Sequence, residues 1–447
     1  MRFLTFAVLA ITVGALSQPS FPAPGQAPSP TNIAPVISNF GVDQTPMVSQ
    51  VPAWFVASAF DPDGDSLRYT IHFGDGGTFS AMALSGELVW ATHAYAAPGT
   101  PRVVLDVDDS RGGSATAALD WLVLERAFLR LTTSIDIHPE QGVPGTISTS
   151  SSQCFAGYAA NAWGLDWVKL PTWAQNVWFS DVPGYATPSC KHMGPFGPGS
   201  TTEYSAVYRA LGWLRVVTDP PLPGTIFVAD VPRNDWGMWT ALQPGTYKVS
   251  FGPVAGYLAP DPQIVVVEPE STTFVTGRYI IDEASPGPDP ASFGMLRVVT
   301  RRGDGLVGVP SQVWIDGIVR DDWGLNWVKL PPGCYALSFS NLPGLEKPPD
   351  LTTCVTARET REVMATFDVL GFLRVATDPP VAATITVGLS TERSSPRNDW
   401  GLWVALPAGE YRVAFGYVPG FTAPQGQLVS VRPGETTWVT GSFAPAS

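Results

Sequence analysis

The sequence predicts an all-β chain of tandem β-sandwich modules strung in an elongated array. Composition is the first ground: 44 Gly, 44 Pro and 16 Trp with only 15% charged residues suit short strands joined by tight turns, not amphipathic helices. The second is a period of two, in which Tyr247, Val249 and Phe251 alternate with Lys248 and Ser250, and Tyr411, Val413 and Phe415 alternate with Arg412 and Ala414. The third is repetition: a Trp-Gly pair recurs at Trp163, Trp236, Trp323 and Trp400. At 447 residues, several modules are expected.

Taken from the start, Arg2 and the apolar run Phe3 to Leu16 read as an export signal. Ala15 and Ser17 supply the small residues of a cleavage site, so residues 1–17 are assigned as a signal peptide. The run is shorter than the roughly 20 residues a spanning helix needs, and every later hydrophobic stretch is interrupted, so no membrane span is expected in the mature chain. Residues 18–32, rich in Pro, Ser, Ala and Gln, read as a stalk. A first sandwich is expected over 33–125.

The repeats come in two versions. Arg233-Asn234-Asp235-Trp236-Gly237-Met238-Trp239 matches Arg397-Asn398-Asp399-Trp400-Gly401-Leu402-Trp403, while Trp163-Gly164-Leu165-Asp166-Trp167-Val168-Lys169-Leu170-Pro171 matches Trp323-Gly324-Leu325-Asn326-Trp327-Val328-Lys329-Leu330-Pro331. The order is A, B, A, B, as duplication of a two-module unit produces. Boundaries are set at 126–211 (A1), 212–281 (B1), 294–370 (A2) and 371–447 (B2), with an acidic, Pro-rich linker at 282–293.

All four cysteines fall in the A repeats. Four cysteines allow three connectivities, and two per repeat favours Cys154 with Cys190 and Cys334 with Cys354. Such bonds belong to an oxidising compartment. The net charge of −13 and the lack of a Lys/Arg cluster remove the footprint of nucleic-acid binding.

Catalytic motifs are missing: the four histidines, His72, His93, His138 and His192, are scattered, and no catalytic signature surrounds them. No enzymatic activity and no required cofactor are expected. Asp61, Asp63 and Asp65 alternate in a turn and form a candidate Ca²⁺ site, or else a solvated turn capping its own backbone. Trp163, Trp236, Trp323 and Trp400 are expected in the module cores. Trp167, Trp239, Trp327 and Trp403, farther along the strand, are the candidates for sugar stacking. Arg233 and Arg397 are candidates for an anionic ligand, or for a turn salt bridge with the following Asp.

The segment Tyr69-Thr70-Ile71-His72-Phe73-Gly74-Asp75-Gly76, with His93-Ala94-Tyr95 and the strand Val103–Asp109, resembles the PKD (polycystic kidney disease) domain family. That likeness implies an immunoglobulin-like sandwich of the kind found on cell surfaces and beside extracellular hydrolases. His72 stands where that family usually has Asp, and Pro101 where an aromatic is common. Gly212–Val216 and Gly371–Val375, the Asp-Pro-Pro runs at Asp219 and Asp378, Pro244–Tyr247 and Pro419–Phe421 look like PEGA-type surface modules, although the Arg-Asn-Asp-Trp-Gly insert is foreign to that pattern. Neither resemblance implies an activity. Two readings result: an exported extracellular or cell-surface protein that binds polysaccharide or surface proteins, and a structural surface-layer, filament or stalk component that self-associates.

Overall fold

The structure is a computed structural model that describes residues 32–446 except 44–45, 151–153, 155–159 and 393. The export signal and all but the last stalk residue therefore lie outside the described residues. Among those described the regular elements are all strands except for a single 3-10 turn at Pro290–Ser292. No helix among them is long and apolar enough to cross a membrane.

The first unit is a two-layer sandwich. One sheet sets Ala53–Phe60 between Val36–Val42 and Val89–His93; the other runs Thr78–Ala83, Leu67–His72, Arg102–Asp108, Ser114–Asp120. Strict alternation in Leu67–His72 buries Leu67, Tyr69 and Ile71 against Phe55, Phe73 and Leu105. Burying side chains of this size removes roughly 1.5–3 kcal/mol of apolar exposure each.

Four further sheet pairs share one plan. In B1, Gly212–Asp219 pairs antiparallel with Gly237–Leu242 and parallel with Thr272–Arg278, so the first and last strands lie side by side. The facing sheet runs Val231–Asp235, Thr225–Val228, Gly245–Phe251, Gln263–Val267. Leu214 and Val216 meet Ile226, Val249 and Phe251 in the core between them. The parallel pairing of first and last strands recurs in A1 (Arg126–Ile135 with Thr201–Ala210), A2 (Gly294–Arg302 with Thr360–Val369) and B2 (Gly371–Asp378 with Thr436–Ser442). Close approach explains one motif residue. A Cβ on Gly212, Gly294 or Gly371 would lie 2.1, 2.1 and 2.2 Å from the carbonyl oxygens of Glu268, Thr356 and Arg432.

Both disulfides join the expected cysteines. Cys154 bonds Cys190, and Cys334 bonds Cys354 directly opposite it across two antiparallel strands.

The units do not simply follow one another in a line. A1 docks on B2, more than 200 residues away in sequence, and B1 docks on A2 by equivalent contacts. The ammonium of Lys169 lies 2.7 Å from Asp399 Oδ2 and also donates to the carbonyl of Ala382 and to Thr384 Oγ1. The equivalent Lys329 lies 3.4 Å from Asp235 Oδ2 and donates to the carbonyl of Pro223. Backbone exchange flanks the A1–B2 pair: the N–H of Trp403 donates to Asn161 Oδ1 and the N–H of Asp166 to Asn398 Oδ1. In B1–A2, the N–H of Trp239 donates to Asp321 Oδ1, and Asn234 donates to Asp321 Oδ2. The A version of the repeat thus supplies the lysine, and the B version supplies the buried aspartate that receives it.

The first unit closes on B2 as well. The guanidinium of Arg412 stacks 3.6 Å from the Trp90 ring centroid and 4.9 Å from that of Trp54. Ser394 N–H donates to Asp43 Oδ2 in the same contact.

Two outcomes follow from these buried charges. Lys169→Met strands Asp399 without its cation and is expected to destabilise the protein by about 3 kcal/mol or more, whereas Lys169→Met with Asp399→Leu recovers most of that loss. Denaturant melts of both variants check this, and an unchanged single variant would contradict it. Burial between B1 and A2 pushes the carboxyls of Asp321 and Asp322 up to about 7 and about 6, against the donors Asn234, Thr240 and Gln312 and the backbone N–H groups of Trp239 and Ala241. The folded state then holds protons that the unfolded chain has released. This contribution to stability is complete below about pH 4 and is lost as pH rises through 6 to 7. Melting temperature measured from pH 5 to 8 should fall, and Asp321→Asn should flatten the slope.

Candidate ligand-binding faces

The Trp-Gly pair sits in the turn that leads into the fourth strand of each unit. Trp163, Trp236 and Trp400 adopt φ of 69°, 72° and 70°, and the glycines that follow them adopt φ of 131°, 152° and 140°. In these turns the indoles face outward. Trp163, Trp236, Trp323 and Trp400 are 53%, 41%, 49% and 48% exposed, which corrects the expectation that they anchor the cores. The cores are filled instead by aliphatic side chains and by Phe–aromatic contacts such as Phe251–Tyr279 and Phe415–Phe443.

Trp239 and Trp403 are exposed on the outer faces of their sheets, and Trp167 and Trp327 are half-buried at the same place in A1 and A2. Each packs against an arginine from the first strand of its unit. Ring centroids lie 5.9 Å (Arg130–Trp167), 4.8 Å (Arg215–Trp239), 5.6 Å (Arg297–Trp327) and 4.8 Å (Arg374–Trp403) from the guanidinium carbon. The period of two puts Arg and Trp on one face, and the antiparallel register sets Arg215 opposite Trp239 and Arg374 opposite Trp403. Four arginines that sequence reasoning passed over are therefore part of these faces. The Leu-Arg-Val openings at Arg215, Arg297 and Arg374, and Leu129-Arg130-Leu131 in A1, were their only signal.

Where B1 meets A2, the rings of Trp239 and Trp323 lie 6.4 Å apart. With Trp213, Thr272, Pro310 and Asp322 they line a shallow pocket of about 140 Å³.

Arg233 and Arg397 belong to the interior and not to a ligand face. Arg233 is half-buried and donates to the carbonyl of Val319 in A2, and desolvation lowers both guanidinium pKa values. The expected turn salt bridge is replaced by the interdomain pair, because Asp235 and Asp399 are taken by Lys329 and Lys169.

Asp61, Asp63 and Asp65 each place a carboxylate oxygen within 4.8 Å of the others. Asp61 is buried, and its Oδ1 accepts the N–H groups of Asp63 and Asp65 at 2.9 and 3.3 Å. Its Oδ2 and Asp65 Oδ2 have no hydrogen-bond partner. Asp63 Oδ2 accepts the N–H of Ile33, and Asp65 Oδ1 pairs with Arg111 at 3.1 Å. Orphaned carboxylate oxygens in a cluster of three suit a hard cation such as Ca²⁺.

His93 is held 2.8 Å from Asp75 and stacked 4.1 Å from the Phe73 ring, while His138 faces Glu270 and His192 faces Asn176.

Among known proteins, the family model of the PKD domain matches residues 32–123, so the first unit is a PKD domain. No curated protein matches the sequence significantly. Similar solved structures include the PKD domain of an M14-like peptidase from Thermoplasmatales archaeon SCGC AB-540-F20, 24% identical over 21% of this chain and 98% of that one, with a TM-score of 0.19. The PKD1 domain of Vibrio anguillarum Epp is 26% identical over 21% of this chain and 95% of its own, with a TM-score of 0.17. The Bacillus anthracis TIE protein is 11% identical over 94% of this chain and 76% of its own, with a TM-score of 0.18.

Millimolar Ca²⁺ is expected to stabilise the PKD domain by roughly 1–3 kcal/mol, as weak extracellular sites do, and Asp61→Asn to abolish that gain. Calorimetry with Ca²⁺ and with a chelator reads the shift. Equal melting in both would reduce the cluster to a self-capping turn.

Proposed function

We propose that the chain is an exported, noncatalytic protein of the cell surface or extracellular space that binds polysaccharide through the outer sheet faces of its repeats. The observation that carries this is the recurrence of an exposed indole beside an arginine at one place in each B unit: Trp239 with Arg215, and Trp403 with Arg374. A flat aromatic surface stacks the CH face of a pyranose, and neighbouring polar groups take its hydroxyls. Two faces in one molecule add avidity that neither has alone. Two disulfides accord with an oxidising compartment, and a PKD domain accords with a surface location. The division of the later chain into four PEGA-like surface modules, and the export signal at 1–17, belong to this reading.

A second reading, self-association into a surface or stalk structure, is favoured by one specific feature. Gln263–Val267 is an edge strand of B1 that exposes Ile264 and Val266, and Ile280 and Ile281 are exposed in the strand leaving that unit. Exposed apolar edge strands invite pairing.

Co-sedimentation of the purified protein with cell envelopes and insoluble polysaccharides, beside a protein-only control, separates the two. Trp239→Ala/Trp403→Ala should lose binding by roughly tenfold or more. It should still fold, since the docking bonds use the backbone N–H of both residues. Pelleting of the protein alone would favour self-association, and unaltered binding by the double variant would remove these faces from the site.

A further inference from the structure

The A and B faces differ in how their arginine is satisfied. In A1, Arg130 lies 3.6 Å from Asp166; in A2, Arg297 lies 2.9 Å from Glu362. The strand next to Arg297 brings Glu362 directly opposite it, and Glu203 stands opposite Arg130 in the same register. In the B units that position is aromatic: Phe274 opposite Arg215 and Trp438 opposite Arg374. Among the described residues, no ion pair involves Arg215 or Arg374. Both guanidinium groups are exposed in a chain whose net charge is −13, where carboxylates outnumber cations.

The aromatics that replace the carboxylates are not core residues. Phe274 is 71% exposed and Trp438 67%. Arg374 lies between two indoles, 4.8 Å from the centroid of each, so a row of Trp403, Arg374 and Trp438 crosses all three strands of its sheet. In B1 the row is Trp239, Arg215 and Phe274. Stacking holds the guanidinium plane without consuming its N–H donors, which remain to bind an anion.

We infer that these two rows bind a carboxylate-bearing polysaccharide, a polymer of uronic acids, with Arg215 and Arg374 receiving the sugar carboxylates and the flanking rings stacking the pyranose faces. This deepens the glycan reading and rests on it. The flatness of the face favours a sugar over an acidic peptide: the row runs across the strands on the outer surface of the sheet, where a ligand meets side chains and gains none of the backbone hydrogen bonds that a peptide takes along a strand. The chain's negative charge gives no long-range steering toward an anionic polymer, so recognition depends on short-range stacking and charge-assisted hydrogen bonds.

Affinity electrophoresis of the full chain tests this with polygalacturonate, its methyl ester, hydroxyethylcellulose and poly-L-glutamate embedded in the gel. Polygalacturonate should retard the protein, with the methyl ester and hydroxyethylcellulose weaker by about tenfold. Arg215→Gln/Arg374→Gln should lose about tenfold or more for polygalacturonate alone, and Arg215→Lys/Arg374→Lys should recover part of it. Phe274→Ala/Trp438→Ala, which changes only exposed side chains, should weaken binding in the same way while near-UV circular dichroism confirms folding. Equal retardation by hydroxyethylcellulose, unmoved by the arginine variants, would overturn this inference and leave the glycan reading standing. Retardation by poly-L-glutamate as strong as by polygalacturonate would replace the sugar with an acidic peptide. Retardation by none of the four, together with no envelope binding, would end both.

Discussion

The arrangement of the repeats depends on a lysine buried in a partner module. Lys169 and Lys329 each leave an A unit and end on an aspartate of a B unit, and each also donates to a backbone carbonyl there. An ammonium and a carboxylate removed from water are costly unless the geometry satisfies them, and either one left alone would oppose docking. The pair therefore specifies which units meet. An A unit finds its aspartate only in a B unit, and the chain closes A1 onto B2 while B1 takes A2. Desolvation raises the pKa of Asp235 and of Asp399, and the lysine opposes that rise.

This docking also decides which surfaces stay open. The fourth strand of each unit carries the docking bonds through its backbone and its arginine-stacked indole through its side chain. Trp239 and Trp403 thus join two modules by their N–H groups and still present their rings to solvent. The aromatic rows are held by the same contacts that hold the modules together. A platform on a rigid sheet, fixed along one edge by a neighbouring unit, loses little freedom when a sugar stacks on it.

Much of the fold was legible in the sequence. Alternation of period two, frequent Gly and Pro, and few charges are local signals that act within a strand or turn, and they carried the all-β class. The disulfides were legible because each closes within one repeat, at separations of 36 and 20 residues. The candidate site was legible only in part. Trp239 and Trp403 were singled out for exposure by their place along the strand, but Trp163, Trp236, Trp323 and Trp400 were expected in the core, because nothing local reveals that the turn they share with the following glycine leaves the indole outside. Arg233 and Arg397 were misread for the opposite reason. Their aspartate neighbours look like turn partners until a lysine some 94 or 230 residues away claims them. The A/B difference was plain in the sequence, but its meaning as two halves of a contact lies in tertiary structure. Arg215 and Arg374 were hidden because a lone arginine on a strand resembles any solvated position.

The central claim is that A1 and B2 sit side by side despite the two modules between them in sequence. All four native cysteines are bonded, so spin labels can be placed at Glu203→Cys in A1 and Thr440→Cys in B2, both exposed. Double electron–electron resonance between them measures the separation directly. Docking by the buried lysine predicts one narrow distance distribution that broadens in Lys169→Met. A long, broad distribution in the native sequence, as an array in chain order would give, contradicts it.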